Sequence, residues 1–440
     1  MEIPARHPRK GDCIIRERAP TLGRVKVLVD YPDLGLARRP EYLDELVDPT
    51  TGGPVRLDSA PRPQPTHRQT PAVVPSWQSA RQTLLALRLG QCTPESVHDL
   101  SVGMTRVDSV CEWAIERAAT GQISFLVFES PYGMGKSHAL GHLKQRARDA
   151  GMAIGGVVLD GIAVSLCSPM SLVAALAHAI EYPGGPVSDG LPQRLAGLVS
   201  HSAVNRLRMV GACLLYNSLV NLTPDHVQDS DEWEFIEDYL SLEVSANQVR
   251  ERLGVRVEPL RARYLEDRPS RCANLLREWA QACTVTGAPN GLVVLLDEAD
   301  VDYAQSWRTQ TERDQRTALL RALRKHADAG PHAGGYGKLV IAMAITPGAS
   351  ESDPIEELKD ELGPHLRLAR LRELDKSEMT ELGRRIGRLY RSAYGLADGE
   401  DNKVEQAISE CLHVIEREAG GHNPRKFIRL LLEKLDVAYT

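Results

Sequence analysis

A glycine-rich loop between an apolar run and a helical pattern is the feature that most constrains this chain. Residues 123–128 read Ile-Ser-Phe-Leu-Val-Phe, which is typical of a strand buried in a parallel sheet. The loop at 130–137 reads Ser-Pro-Tyr-Gly-Met-Gly-Lys-Ser, and apolar residues then recur at helical spacing at Ala139, Leu140 and Leu143. The sequence therefore predicts a strand–loop–helix unit, from which α/β folds with parallel sheets are built.

The residues of this loop predict a phosphate site. In the pattern Gly-x-x-x-x-Gly-Lys-Ser/Thr, the P-loop, backbone N–H groups at a helix N-terminus surround phosphate oxygens and the lysine binds the β- and γ-phosphates. Serine occupies the first glycine position, and the alternative interpretation is a glycine turn that caps an ordinary helix. The predicted nucleotide-binding residues are Ser130, Pro131, Tyr132, Gly133, Met134, Gly135, Lys136 and Ser137.

An acidic pair after a second apolar run favours the nucleotide site over the simple turn. Residues 292–296 are five consecutive aliphatics, and Asp297 and Glu298 follow them. In a P-loop site the aspartate and the loop hydroxyl, here Asp297 and Ser137, hold Mg²⁺, and the next carboxylate orients the attacking water. We therefore predict ATP and Mg²⁺ as cofactors, ATP hydrolysis as the reaction, and Glu298 as a catalytic residue.

A polar residue ends a further apolar run. Residues 339–345 predict a strand, and Thr346-Pro347-Gly348 follows it. If this strand lies beside the one that carries the acidic pair, Thr346 is placed to sense the γ-phosphate. The alternative is a strand that simply ends in a Pro-Gly turn.

An arginine occupies an unusual position near the C-terminus. Asn423 and Pro424 predict the N-cap and first residue of a helix, so Arg425 lies in its first turn. A helix dipole disfavours a cation there, and a bound phosphate would explain the residue. The alternative is a solvated arginine.

The chain divides into segments of different character. Residues 1–58 predict a small β-rich module, with strands at 11–15 and 23–30 and a pattern that resembles an SH3-like barrel. The five prolines of 59–76 predict a semi-rigid linker. Residues 77–374 alternate strands, one of them at 157–160, with helices, which predicts an α/β P-loop core with a parallel sheet flanked by helices. A helical insertion is predicted at about 183–285, and amphipathic helices at 375–440 predict a C-terminal lid.

Composition limits the cellular context. The chain has 440 residues and a net charge of −6, so any contact with nucleic acid requires a local basic patch. Its eight cysteines include no Cys-x-x-Cys pair, which argues against a zinc site and favours reduced thiols in the cytoplasm. No apolar run is long enough for a membrane helix, so no membrane association is expected.

These motifs together resemble the AAA+ class of ATPases, on its origin-recognition (Orc-like) side. More narrowly, residues 125–140 and the Asp-Glu-Ala strand resemble the ATP-binding proteins of BREX phage-exclusion systems (the BrxC/BrxD family, its shorter members), over about 78–440. The resemblance implies a bacterial defence role with other defence-system proteins as partners, a homo-oligomer, and work on DNA. It also implies an arginine supplied across subunits, for which Arg367 is the candidate and a charged strand edge the alternative.

A basic surface on the predicted lid is the candidate for DNA contact. Arginines spaced by four and three residues share one helix face, and the start of the last helix adds two more cations. The alternative is a solvated basic face. For function the alternatives are a STAND-type signalling ATPase, whose nucleotide state controls oligomerisation without DNA, and a scaffold that nucleotide only stabilises. The candidate DNA-binding residues are Arg384, Arg388, Arg391, Lys426 and Arg429.

Overall fold

A computed structural model of the chain shows two compact units, Met1–Val73 and Val74–Thr440. In the first unit it describes the backbone of four strands. In the second it describes residues 76–440, apart from short gaps at 92, 183–189, 200–203, 223–229, 286–289, 305–307, 331–337, 349–352, 397–400, 418–422 and 440.

The first unit contains an antiparallel sheet in which each strand pairs with the next along the chain. Its strands are β1 (Ile3–His7), β2 (Gly11–Ala19), β3 (Lys26–Tyr31) and β4 (Leu36–Tyr42). Strands were predicted at 11–15 and 23–30, where β2 and β3 lie. The remainder of the predicted module and nearly all of the predicted proline-rich linker lie outside the described residues, so the SH3-like interpretation stays a prediction.

The second unit is built on a six-stranded, mostly parallel sheet flanked by helices, which confirms the predicted α/β class. Its order is β10-β5-β9-β8-β6-β7, and β7 alone of these strands runs antiparallel to its neighbour. The strands are β5 (Ile123–Glu129), β6 (Ala153–Val158), β7 (Ile180–Glu181), β8 (Leu292–Asp297), β9 (Leu339–Ile345) and β10 (Leu366–Arg370).

Two interior strands form where the sequence has uninterrupted apolar runs. β9 is buried along its whole length and β8 along all but its last residue, as expected for parallel strands covered on both faces. β6 corrects a prediction, because a strand was expected at 157–160 and the structure begins it at Ala153 and ends it at Val158. Asp160 instead closes a turn in which its carboxylate accepts three backbone N–H bonds.

Helices cover both faces of this sheet. Their hydrophobic residues form two clusters with the strands, one on each face. The helices outside the insertion and the lid are α2 (Pro94–Leu100), α3 (Thr105–Ala119), α4 (Lys136–Asp149), α5 (Pro169–Ala179), α12 (Val301–Ala304), α13 (Gln310–Asp328) and α14 (Pro354–Leu362).

Between β7 and β8, where a helical insertion was predicted at about 183–285, the elements of the described residues are all helices, joined by turns and by a non-helical stretch at 254–267. Leu207, Leu215 and Trp279 belong to the same hydrophobic cluster as the strands, so the insertion is part of the core. Its helices are α6 (Leu191–Val199), α7 (Val204–Met209), α8 (Cys213–Leu219), α9 (Ser230–Leu240), α10 (Ala246–Leu253) and α11 (Arg268–Val285).

The lid contains one helix more than the sequence suggested. The predicted helices are α15 (Lys376–Tyr394), α16 (Asp401–Arg417) and α17 (Pro424–Tyr439). Helix α1 (Ser76–Arg88), which was assigned to the ATPase core, packs into the lid through Ala80 and Leu84. The Arg88 guanidinium binds both carboxylate oxygens of Asp436 on α17 at 2.7 Å.

Candidate functional site

Three strand ends meet at the carboxyl edge of the parallel sheet. The 130–137 loop follows β5, Asp297 ends β8, and Thr346 follows β9. Strand β9 lies between the other two, with Ile345 opposite Glu129 of β5 and Met343 opposite Leu296 of β8. The structure therefore brings the loop, the acidic pair and Thr346 to one edge, where parallel α/β sheets commonly bind ligands.

The 130–137 loop takes a backbone shape that requires its glycines. Gly133 and Gly135 have φ of 83° and 94°, values that non-glycine residues rarely adopt. Gly135 is the N-cap of α4, and none of the described side chains caps this helix end. Ser130 is buried, and its backbone N–H donates to the Ile345 carbonyl at 3.3 Å. A serine is thus accommodated where the pattern has glycine.

Lys136 points back into the loop and faces carboxylates. Its Nζ donates to the carbonyl of Ser130 at 3.0 Å and to that of Pro131 at 3.4 Å. Burial lowers the pKa of Lys136, and the charges of three carboxylates oppose this shift; they are Asp300, Asp297 and Glu298. The ammonium group and the acidic turn therefore face the same space.

The acidic turn after β8 is strained at the predicted catalytic residue. Glu298 is exposed and has a φ of 55°, an uncommon value for a non-glycine residue. Its N–H donates to Asp297 Oδ1 at 2.9 Å, and the next N–H, that of Ala299, donates to the Ala344 carbonyl at 2.9 Å. Strain of this kind costs about 1–3 kcal/mol and is concentrated at active sites.

Thr346 lies next to this turn. Its backbone N–H donates to Asp300 Oδ1 at 3.1 Å, which ties the end of β9 to the segment after β8. The predicted position of Thr346 beside the acidic strand is therefore the position it takes.

A cleft of about 460 Å³ runs along α4 beside these groups. Ser137 and Asp297 both line it, and so do Gly90, Gln91 and Thr93 from the segment between α1 and α2, with Val97 of α2. Among the described residues no cluster of three His, Cys, Asp or Glu side chains could hold a metal ion. Mg²⁺ needs no such cluster, because it keeps several waters and takes one or two protein oxygens with phosphates. One hydroxyl and one carboxylate on a shared cleft fit that requirement.

The first turn of the lid helix α17 lies on the loop. Asn423 Nδ2 donates to the Tyr132 carbonyl at 3.2 Å, while its Oδ1 accepts the Lys426 N–H and so caps α17. The Arg425 guanidinium stacks on the Tyr132 ring and donates to its hydroxyl. A Cβ at Gly90 would come within 2.6 Å of Arg425 Cζ. Arg425 thus lies at the loop: its side chain is close to Tyr132 and Gly90, and its backbone N–H donates to the Gly133 carbonyl at 3.4 Å. A contact with phosphate stays a prediction.

A half-buried histidine near the loop was missed from the sequence. His138 Nε2 lies 2.9 Å from Ser101 Oγ. Because Ser101 donates its hydroxyl proton to the Val97 carbonyl, it accepts from His138. Burial, with a smaller contribution from His142, lowers the pKa of His138 to about 4. A histidine two residues after Lys136 was the available signal, but its burial depends on α2.

Arg367 does not lie at the site within its own chain. It is exposed on the edge strand β10, where it pairs in register with Leu126, three residues before the end of β5. At about 3.3 Å per residue this places it roughly 10 Å from the strand end. Its guanidinium lies 5.1 Å from the Trp113 ring centroid. A role across subunits stays a prediction.

The arginines proposed to bind DNA have carboxylate neighbours. Arg384 Nε lies 2.6 Å from Glu405, and Arg388 lies 3.7 Å from Glu381. Arg391 is bonded to Asp401, and its side chain is only 13% exposed. Arg429 pairs with Glu433 at 3.2 Å, while Lys426 is exposed. Pairing reduces the charge available for phosphates, and the DNA surface stays a prediction.

Comparisons with known proteins give little further support. No protein-family model and no curated protein matches the chain. Among solved structures, a chain of the Escherichia coli MS115-1 HORMA:CdnC:Trip13 complex is similar at 9% identity, with 77% of this chain and 91% of that chain covered. The TM-score of 0.34 is too low to support an inference. No helix among the described residues is both long and apolar enough to cross a membrane.

Proposed function

We propose that residues 76–440 form an ATP-binding and ATP-hydrolysing P-loop module of the AAA+ class. The observation that carries this proposal is the convergence of the 130–137 loop, Thr346 and the pair Asp297–Glu298 on three adjacent strands of one parallel sheet. A lysine whose ammonium group faces those carboxylates adds to it.

The residues divide the work as follows. Backbone N–H groups of the loop and the start of α4 bind phosphate oxygens, and Lys136 exchanges its bonds to loop carbonyls for bonds to phosphate. Ser137 and Asp297 hold Mg²⁺, which when bound neutralises phosphate charge. Glu298 accepts a proton from the attacking water and orients it, and Thr346 contacts the γ-phosphate.

For the cellular role we propose a DNA-associated motor, loader or switch in a BREX-like defence system, working as a homo-oligomer in the cytoplasm with other defence proteins. The sequence resemblance supports this proposal. A STAND-type signalling ATPase is the second candidate. It is favoured by the bonds between α17 and the loop, through which nucleotide could act on the lid, and by the carboxylate pairing of the α15 arginines.

Two measurements on the full chain test these roles. Phosphate release from ATP and Mg²⁺ is expected to be measurable, and duplex DNA is expected to stimulate it. The mass of the protein with ATP-γ-S is expected to exceed that of a monomer and to shift further with DNA. ATP turnover and an assembly mass that do not change with duplex DNA would favour the signalling ATPase. Nucleotide binding without turnover would refute hydrolysis.

A further inference from the structure

Asp300 lies three residues after Asp297, at the end of the acidic turn that follows β8. It precedes the short helix α12, and its carbonyl accepts the N–H groups of Tyr303 and Ala304 at 3.0 and 2.9 Å. Its carboxylate accepts the Thr346 N–H at 3.1 Å. The side chain therefore reaches from the segment after β8 to the end of β9.

This contact completes a set of bonds that holds the end of β9 from both sides. The β8–β9 pairing ends at Met343, and the next three residues along the chain each form a hydrogen bond to another segment. The Ala344 carbonyl accepts from Ala299, the Ile345 carbonyl accepts from Ser130, and the Thr346 N–H donates to Asp300. The first two bonds are made by backbone and the third by a side chain. Substitution at Asp300 can therefore remove one bond without altering the other two.

The backbone that carries Asp300 is firmly anchored. Two residues further on, the buried Asp302 accepts bonds from the Ser165 hydroxyl at 2.7 Å and the Leu166 N–H at 2.6 Å, and it pairs with the buried Arg308. A carboxylate on such a fixed segment can hold a strand end in one place, because the segment does not move with the strand end.

Asp300 also faces the lysine of the loop. Burial is the main influence on the pKa of Lys136 and lowers it, and Asp300 is the strongest of the carboxylates whose charge opposes that shift. Asp300 thus bonds to the β9 end, and its charge acts on the loop lysine.

We propose that Asp300 is a positioning residue of the hydrolytic site: its carboxylate holds the β9 end, and with it Thr346, in place beside the Asp297–Glu298 turn. This inference rests on the proposed ATPase function. It assigns to Asp300 no contact with nucleotide or with water. Loss of the bond lets the β9 end move, so the chemical step slows while ATP binding, which depends on the loop, is kept.

Three variants test the proposal by steady-state ATP hydrolysis. Asp300→Ala removes the acceptor, and kcat is expected to fall about tenfold or more, since a hydrogen bond to a charged group is lost, with KM for ATP raised less than about twofold. Asp300→Asn keeps an acceptor oxygen and is expected to retain kcat within about threefold. Asp314→Ala, which removes an exposed carboxylate on α13, is the matched control and should behave as wild type.

Hydrogen exchange at the Thr346 amide gives a second readout that needs no turnover. We expect faster exchange in Asp300→Ala and wild-type exchange in Asp300→Asn. Wild-type kcat and exchange in Asp300→Ala would overturn the proposal, as would equal impairment of the Ala and Asn variants. If wild-type protein does not hydrolyse ATP, the proposed function fails, and exchange at Thr346 still decides whether Asp300 holds the β9 end.

Discussion

The Arg425 guanidinium stacks on the Tyr132 ring, with Cζ 4.9 Å from the ring centroid, and donates to the phenol hydroxyl. Tyr132 belongs to the 130–137 loop and Arg425 to the first turn of the lid helix α17. The loop and the lid helix are therefore in direct contact through these two side chains.

Arg425→Ala should weaken ATP more than ADP if this arginine reaches the γ-phosphate. Loss of one charge-assisted bond predicts a decrease in ATP affinity of about tenfold, with ADP changed less than about twofold. Titration calorimetry with both nucleotides measures the difference. Arg429→Ala, one turn further along α17, is the control. Equal losses for ATP and ADP would leave Arg425 with a structural role on Tyr132.

Glu298→Gln should retain ATP and lose turnover. The amide has the shape of the carboxylate and leaves the backbone unchanged, but it cannot take a proton from water. We expect phosphate release to fall by about 10²-fold or more with an unchanged ATP dissociation constant. Glu251→Gln on α10 is the matched surface control. Turnover at the wild-type rate would show that Glu298 is not catalytic, whatever its backbone strain.

The half-buried His138 should make stability depend on pH. Its pKa of about 4 lies below the value of about 6.5 in an unfolded chain, so between these values the unfolded chain binds a proton that the folded protein does not. The free energy of unfolding therefore decreases as pH falls through this window, by about 1–2 kcal/mol between pH 7 and pH 5. Denaturant unfolding at pH 7 and pH 5 should show a smaller loss in His138→Gln than in wild type.

The pH dependence of stability must be compared between wild type and His138→Gln, because Asp238 changes stability with pH in the opposite direction. Burial, helped by nearby carboxylates, raises its pKa to about 6, so its contribution to stability grows as pH falls through that value. Both proteins share this contribution, and it cancels in their difference. His413→Gln, at an exposed position of α16, should have the wild-type pH dependence. The same dependence in His138→Gln would refute the assignment.

The secondary structure was most predictable where the chain is buried on both faces. Apolar runs at β5, β8 and β9, broken only by Ser124 in β5, predicted those strands to within one residue, because continuous burial leaves a clear pattern. The start of β6 was missed because Gly155 and Gly156 do not resemble a strand. The placement of α1 in the lid could not be predicted, since it depends on contacts with helices about 300 residues away.

Among the site residues, those at strand ends were found from their motifs, because the carboxyl ends of parallel strands share one edge. Partners from other segments were not found. The carboxylates that pair with Arg384 and Arg391 lie on α16, and the burial of His138 depends on α2. Charge spacing along one helix shows that residues share a face, but it does not show what that face meets.

DNA binding, if it uses the α15 surface, should depend on Arg388 and not on Arg391. The side chain of Arg388 is 60% exposed and lies 3.7 Å from the Glu381 carboxylate. The side chain of Arg391 is 13% exposed and bonded to Asp401. Loss of one phosphate contact lowers the slope of log affinity against log salt by about one. Duplex titrations in a salt series with ATP-γ-S should show this change in Arg388→Ala alone. Salt slopes and affinities equal to those of wild type in both variants would exclude this surface.

Calorimetric titration of wild-type protein and Lys136→Ala with ATP and Mg²⁺ measures whether the 130–137 loop binds ATP. Wild-type protein should give a saturable binding heat. Lys136→Ala should give none and unfold at the wild-type temperature, because the ammonium group that pairs with the phosphates is removed while the loop glycines remain. Lys376→Ala, which removes an exposed lysine of α15, should bind as wild type. Unchanged ATP affinity in Lys136→Ala would show that ATP does not bind at this loop.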